Sequence, residues 1–136
     1  MKVYQSKYSK LSGTSYNELE RKARKLHNVI VKKTRRNAYV RSAYFKKDKI
    51  FITLFWQHLN QKPQRDRKRR LKYYECAIDL LRNSTNEPET KPNPNGKNEL
   101  VHRFAGITKD GDLFYVQVKE NKRTNNKYFM SVFPPE

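Results

Sequence analysis

Residues 112–120 read Asp-Leu-Phe-Tyr-Val-Gln-Val-Lys-Glu. Phe114, Val116 and Val118 alternate with Tyr115, Gln117 and Lys119, the period-two pattern of a strand with one apolar and one polar face. Two further runs flank it, 99–107 (ELVHRFAGI) and 127–133 (KYFMSVF). Lys109-Asp110-Gly111 and Arg123-Thr124-Asn125-Asn126 supply the turns between them. The C-terminal part therefore predicts a three-stranded antiparallel meander with one face packed on other elements.

Working backwards, residues 84–98 (STNEPETKPNPNGKN) are polar and Pro-rich and predict a loop or linker. Helical signals lie before it. Ser15 followed by Glu18 has capping-box spacing, and Leu19, Ala23, Leu26 and Ile30 form one stripe of a helix reaching Lys33. Residues 38–47 predict an extended segment turning at Lys47-Asp48. The run 50–59 (IFITLFWQHL) begins as a strand and passes into a helical turn, which Pro63 ends. From Gln64 to Asn83, Leu71, Tyr74, Ala77, Ile78 and Leu81 predict one helix. The first 14 residues read as a basic, poorly structured arm. Helices before a meander make the class α+β. Residues 15–136 then form one domain, with a basic helical part (15–83), a loop (84–98) and a sheet (99–134).

Thirty-one Lys and Arg oppose 13 Asp and Glu, a formal net charge of +18. Residues 1–83 hold 23 of the cations against 6 acids, while 84–136 hold 8 against 7. An excess that repels itself in the compact state points to a polyanionic partner, and RNA suits it best. No apolar run is long enough to span a bilayer, no signal peptide is visible, and neither helix has a bulky exposed apolar face for a membrane surface. A lone cysteine forms no internal disulfide and agrees with the cytoplasm. One Cys and three scattered His give neither a structural zinc site nor any other metal site. No motif calls for a cofactor.

The cationic cluster Arg65, Arg67, Lys68, Arg69 and Arg70 crowds the start of a helix, where positive charge opposes the helix dipole. Phosphate binding explains it better than a solvated face does. Arg41, Tyr44 and Lys46 in the extended segment and Lys122 near the second turn extend the candidate RNA contacts; Tyr44 and Tyr128 are candidates to stack on bases. Cleaving RNA without a metal needs a proton acceptor for the 2′-OH, a donor for the leaving oxygen and cations for the phosphate. His102 titrates near neutrality and suits the proton transfer. Lys119, Arg103 and Lys122 suit the charge, and Ser131 a phosphate oxygen. Ser131 is expected to share a face with Phe129 and Phe133. His102 and Arg103 alternate, so only one of them can join any given face. Each of these residues also has an ordinary structural reading as part of a strand.

The runs His102-Arg103-Phe104-Ala105-Gly106, Phe114 to Glu120 and Tyr128 to Pro134 resemble the phage-associated barnase–EndoU–colicin–RelE-like (BECR) nucleases. Ser42 to Lys46, Phe55 to Leu59 and Leu80-Leu81-Arg82 are similar to the segment before that sheet, so the resemblance covers roughly residues 38–134. It implies a metal-independent endoribonuclease, a toxin carried by a mobile element or delivered to a target cell, cutting tRNA or mRNA. An acidic antitoxin or immunity protein would restrain it. Carried over residue by residue, the resemblance places the active site at His102, Lys119 and Ser131. The alternative is a non-enzymatic nucleic-acid-binding protein using the same basic surface.

Overall fold

A computed structural model describes residues 1–136. Helix α1 (Tyr16–Lys33) starts as its sequence dictates. Ser15 Oγ accepts from the Glu18 amide at 3.2 Å, and Glu18 Oε1 accepts from the Thr14 amide at 3.3 Å. Such a cap stabilises a helix by about 1 kcal/mol. Leu19, Ala23, His27 and Ile30 form its buried stripe.

Strands β2 (Tyr39–Arg41) and β3 (Lys49–Phe51) pair antiparallel, joined by a turn in which Lys46 and Lys47 both take positive φ. The chain then enters α2 (Leu54–Asn60), and α3 (Gln64–Leu71) follows directly after Pro63. The single helix predicted over 64–83 is in fact two, α3 and α4 (Tyr74–Asn83). Tyr73 and Tyr74 are both buried, and adjacent residues of one continuous helix point about 100° apart. Breaking the helix at Lys72–Tyr73 lets Tyr73 pack on Phe114 while Tyr74 packs on Phe55 and Trp56.

The meander forms as expected: β5 (Glu99–Ile107), β6 (Leu113–Asn121) and β7 (Lys127–Phe133) pair antiparallel in sequence order. It is the middle of a curled seven-stranded sheet. On one side β3 continues it by pairing parallel to β7 at Ile50↔Lys127 and Phe51↔Tyr128. On the other, β5 carries two short strands along one edge. These are β4 (Glu89–Pro92, antiparallel) and β1 (Val3–Gln5, parallel).

Both additions correct the sequence reading. The segment 84–98 is not wholly loop, since β4 lies within it. The N-terminal segment is not a loose arm either, because buried Asp79 of α4 anchors it. That carboxylate accepts from Tyr4 OH (3.0 Å), Ser6 OH (2.8 Å), the Lys7 amide (3.3 Å) and Asn83 (2.8 Å). A buried charge met by this many donors is stable, whereas one stripped of them is costly. Burial and the Asp79 bond push the Tyr4 hydroxyl up to about 12.

The helices cover one face of the sheet. Phe55 of α2 stacks on Phe129 of β7 with ring centroids 4.7 Å apart and planes within 7°. Gly106 leaves room for Phe114 of β6 and Leu80 of α4; a Cβ there would fall 2.4 Å from Phe114 Cζ and 2.9 Å from Leu80 Cδ1. No helix is long and apolar enough to cross a membrane.

Candidate nucleic-acid interface

The pleat sorts the sheet into two faces. Val40, Ile50, His102, Phe104, Val116, Val118, Phe129 and Val132 are buried on the helix side. The opposite face carries no helix. Across it run Tyr39, Phe51 and Tyr128 from β2, β3 and β7, each ring meeting the next at centroid distances of 6.3 and 5.8 Å. Tyr115 and Phe133 form a second pair, 5.8 Å apart, towards the end of β7. All five rings are half-buried, so each keeps a face or edge towards solvent.

Cations are set among these rings. Lys49 Nζ lies 4.5 Å from the Tyr39 centroid, with Arg41 at 5.3 Å. Lys119 lies 5.6 Å from Tyr128. Arg103 is 5.7 Å from Tyr115 and 5.6 Å from Phe133, and Arg70 of α3 reaches Phe133 at 5.3 Å. Between the two groups of rings, Ser131 Oγ donates to Gln117 Oε1 at 3.0 Å. Lys91, Val101, Arg103, Gln117 and Met130 line a cleft of about 260 Å³ beside them. Glu99 pairs with Lys119 at 3.4 Å. Rings for bases, guanidinium and ammonium groups for phosphates, and a hydroxyl–amide pair for polar edges are what a single strand of nucleic acid requires.

Arg103, Lys119 and Ser131 therefore share this face, together with Arg41 and Tyr128. Ser131 reaches it by a route the alternation did not predict. A bulge shifts the register so that Gln117 pairs with Ser131 but Val118 pairs with Phe129. Met130 is the extra residue, and past it the side chains change faces. Ser131 thus lies opposite Phe129, which corrects the expectation that the two share a face.

His102 is not part of this group. It sits on the helix side, 6% exposed, with Nδ1 2.7 Å from Thr90 Oγ1 and Nε2 2.7 Å from Glu120 Oε1. Phe45 covers it, ring centroids 5.0 Å apart. Lys127, 5% exposed, lies 3.9 Å from Glu120 Oε2 and donates to Asp48 at 3.0 Å. The sheet itself separates His102 from Lys119 and Ser131. Tyr44 is also on the covered side, its ring packed edge-on against Phe45 and Phe104, so it is a poor platform for a base. Lys46 is exposed at the tip of that turn and Lys122 in the turn after β6; neither lies within the ring cluster.

The α3 cluster divides. Arg67 turns inward and donates to the carbonyls of Lys62 and Asn60, both at 2.7 Å, locking the α2–α3 corner. Arg70 is held by Asp66 at 3.1 Å beneath Phe133. Arg65, Lys68 and Arg69 face outward, with Gln64 and Lys72, around a shallow groove. Asp66 in the first turn also pairs with Arg69 and offsets part of the conflict with the helix dipole.

Tyr39, Lys49, Phe51, Tyr115 and Phe133 were not among the residues expected to touch RNA. The signal was present for Tyr39, Lys49 and Phe51, which flank buried Val40 and Ile50, and for Tyr115 between buried Phe114 and Val116; Phe133 lies past the bulge, where plain alternation puts it on the covered face with Phe129. The short strands β2 and β3 had to be joined to β7 before those positions became neighbours. Comparison of the chain with protein-family models, with curated proteins and with solved structures returns no match.

Proposed function

We propose that this chain binds single-stranded RNA across the helix-free face of its sheet and cleaves it there as a metal-independent endoribonuclease. The observation that carries the reading is the interleaving of five rings with Arg41, Lys49, Arg103 and Lys119 on that one face, with Arg70 of α3 reaching Phe133 as well. Stacking on such rings is worth about 1–3 kcal/mol per base and tolerates any sequence. A duplex hides its base faces, so the arrangement favours unpaired strands. Arg65, Lys68 and Arg69 extend the positive surface beyond the platform and would hold further phosphates.

Cleavage is the finer part of the proposal. Attack of a 2′-OH on its own phosphate builds negative charge on the non-bridging oxygens, and Arg103 and Lys119 are cations on the face where that phosphate would lie. The resemblance to BECR nucleases points the same way, and it carries the toxin role. An acidic inhibitor would bind the same cations that RNA does.

A second reading, a binding protein without catalysis, is favoured by one observation: His102, the expected proton-transfer residue, is enclosed on the opposite face. Incubating the purified chain with single-stranded RNA in EDTA separates the two. Discrete products support the nuclease, whereas tight binding with intact RNA supports the binding protein. Absence of both binding and cleavage overturns the shared interface.

A further inference from the structure

The strand register places one row of polar side chains straight across the open face. Glu89 of β4 pairs with Arg103 of β5, Arg103 with Gln117 of β6, and Gln117 with Ser131 of β7. Rings border this row on both sides. Tyr115 and Phe133 pair on one, and Tyr128 lies beside Lys119 on the other. Glu89, Arg103 and Gln117 line the cleft of about 260 Å³, and Val101, Met130, Pro92 and Pro94 give it apolar surface.

Two members of the row hold donors that the chain does not use. Arg103 makes no ion pair and no hydrogen bond, because its neighbour Glu89 is taken by Lys91 at 3.3 Å. Its guanidinium lies instead over the Tyr115 and Phe133 rings. Gln117 Oε1 accepts from Ser131 Oγ at 3.0 Å, which fixes the amide and leaves its NH2 group without a partner. Both residues are half-buried, and no fully buried polar atom in the chain is unpaired, so water meets these donors in the free protein. A ligand with matching acceptors would take the place of that water.

We infer that this cleft selects an unpaired base presenting two acceptors side by side on one edge. Guanine does so with O6 and N7, and cytosine with O2 and N3, whereas adenine and uracil alternate acceptors and donors around their exocyclic groups. The Arg103 guanidinium and the Gln117 NH2 group supply the two donors from cross-strand partners, whose Cβ atoms lie about 5 Å apart. The inference rests on the single-strand-binding part of the reading above and not on cleavage. Stacking on the rings tolerates any base, so a preference must come from this row. The cleft is small for a ligand site and holds one base. Its apolar lining suits the flat face of a base better than a phosphate, and the backbone falls to Lys119 in the next row.

The test uses the full chain and labelled 2′-O-methyl oligouridines, which have no 2′-OH to attack the phosphate, with G, C, A or U at one central position. Affinity is read by fluorescence anisotropy. Strands carrying G or C should bind about 5- to 150-fold tighter than those carrying A or U, the range for one bidentate base contact. A gain confined to G, or to C, supports the inference and tells which base the cleft takes. Arg103→Lys keeps the charge but loses the planar fork, and Gln117→Glu keeps the shape but replaces the donor with an acceptor. Each should bring the four affinities together. A preference that survives both substitutions overturns the assignment to this row. Equal binding of the four strands by the native chain, or a preference for A or U, overturns the selection and leaves the platform intact. No binding of any strand overturns both. Should the variants fold poorly, the comparison of the four strands on the native chain decides alone.

Discussion

His102 Nε2 and Glu120 Oε1 lie 2.7 Å apart on the helix side of the sheet, a full sheet thickness from the Lys119 and Ser131 side chains. The pair ties β5 to β6, while Thr90 on the other ring nitrogen ties in β4. His102 thus belongs to the structure of the sheet rather than to its outward chemistry. Replacing it with Ala leaves the exposed Thr90 hydroxyl to water, but it empties a buried position under Phe45 and leaves half-buried Glu120 only its 3.9 Å approach to Lys127. Loss of about 2–3 kcal/mol is expected, read as a fall in Tm of roughly 6–12 °C. RNA affinity at a temperature where the variant is folded should stay within about twofold. A variant of native stability that no longer binds RNA would contradict this placement.

Gly106→Ala should be nearly as damaging for a different reason. The new methyl would lie 2.4 Å from Phe114 of β6 and 2.9 Å from Leu80 of α4, both in the hydrophobic core. Overpacking of this kind costs about 1–3 kcal/mol. Denaturant unfolding should show the lower midpoint with an unchanged slope. An Ala variant as stable as the native chain would mean that α4 and β5 pack more loosely than described.

The meander, the α1 cap and the α2–Pro63–α3 succession were legible because each is written locally, in alternation, in Ser15–Glu18 spacing or in a proline. What escaped was set by distant partners. β4 has no buried residue at all, and β1 is held by Asp79, more than 70 positions away, so neither carries a hydrophobic signal. The bulge at Met130 is a property of two strands in register, invisible in either one alone, and it decided which face Ser131 joined. Arg103, Lys119 and Ser131 were identified as a set by residue type, but the place of His102 depended on which face the helices cover.

Arg65, Lys68 and Arg69 should act through charge rather than geometry. Substituting all three with Ala is expected to weaken binding to every single strand alike. The slope of log affinity against log salt should become shallower by about 2, at roughly 0.7 for each phosphate no longer neutralised. Arg67→Ala should behave differently, lowering stability because it releases the Asn60 and Lys62 carbonyls. Titrations at several salt concentrations check the first expectation, and a thermal melt checks the second.

Acid should loosen the fold through His27. Burial, then the neighbouring Arg24 charge, lowers its pKa below the ordinary 6.5. The folded state therefore binds fewer protons than the unfolded one. The stability His27 contributes is complete above about 6.5 and is lost as pH falls towards and through the folded value. Protonation would also place a hydrogen on Nδ1, which now accepts from Trp56. Native protein should lose stability between about pH 7 and 5. His27→Gln should lose less over that interval, with the remaining slope owed to His58, whose pKa is lowered as well. Equal slopes in the two proteins would remove His27 from the account.

The sharpest test of the platform is the contrast between Tyr128 and Tyr44. Both are half-buried tyrosines, and both were candidates for stacking on bases. Tyr128 lies on the helix-free face between Phe51 and Lys119, while Tyr44 packs edge-on against Phe45 and Phe104 over the core. Tyr128→Ala and Phe133→Ala should each reduce affinity for a single strand by about 5- to 100-fold, the range for one stacked base, with little change in Tm. Tyr44→Ala should do the reverse, lowering Tm through poorer packing while leaving affinity near native. Anisotropy titrations with one oligonucleotide, paired with melts of the same samples, read both effects at once. If Tyr44→Ala weakens binding and Tyr128→Ala does not, RNA lies across the turn over 42–48 and not on the open face.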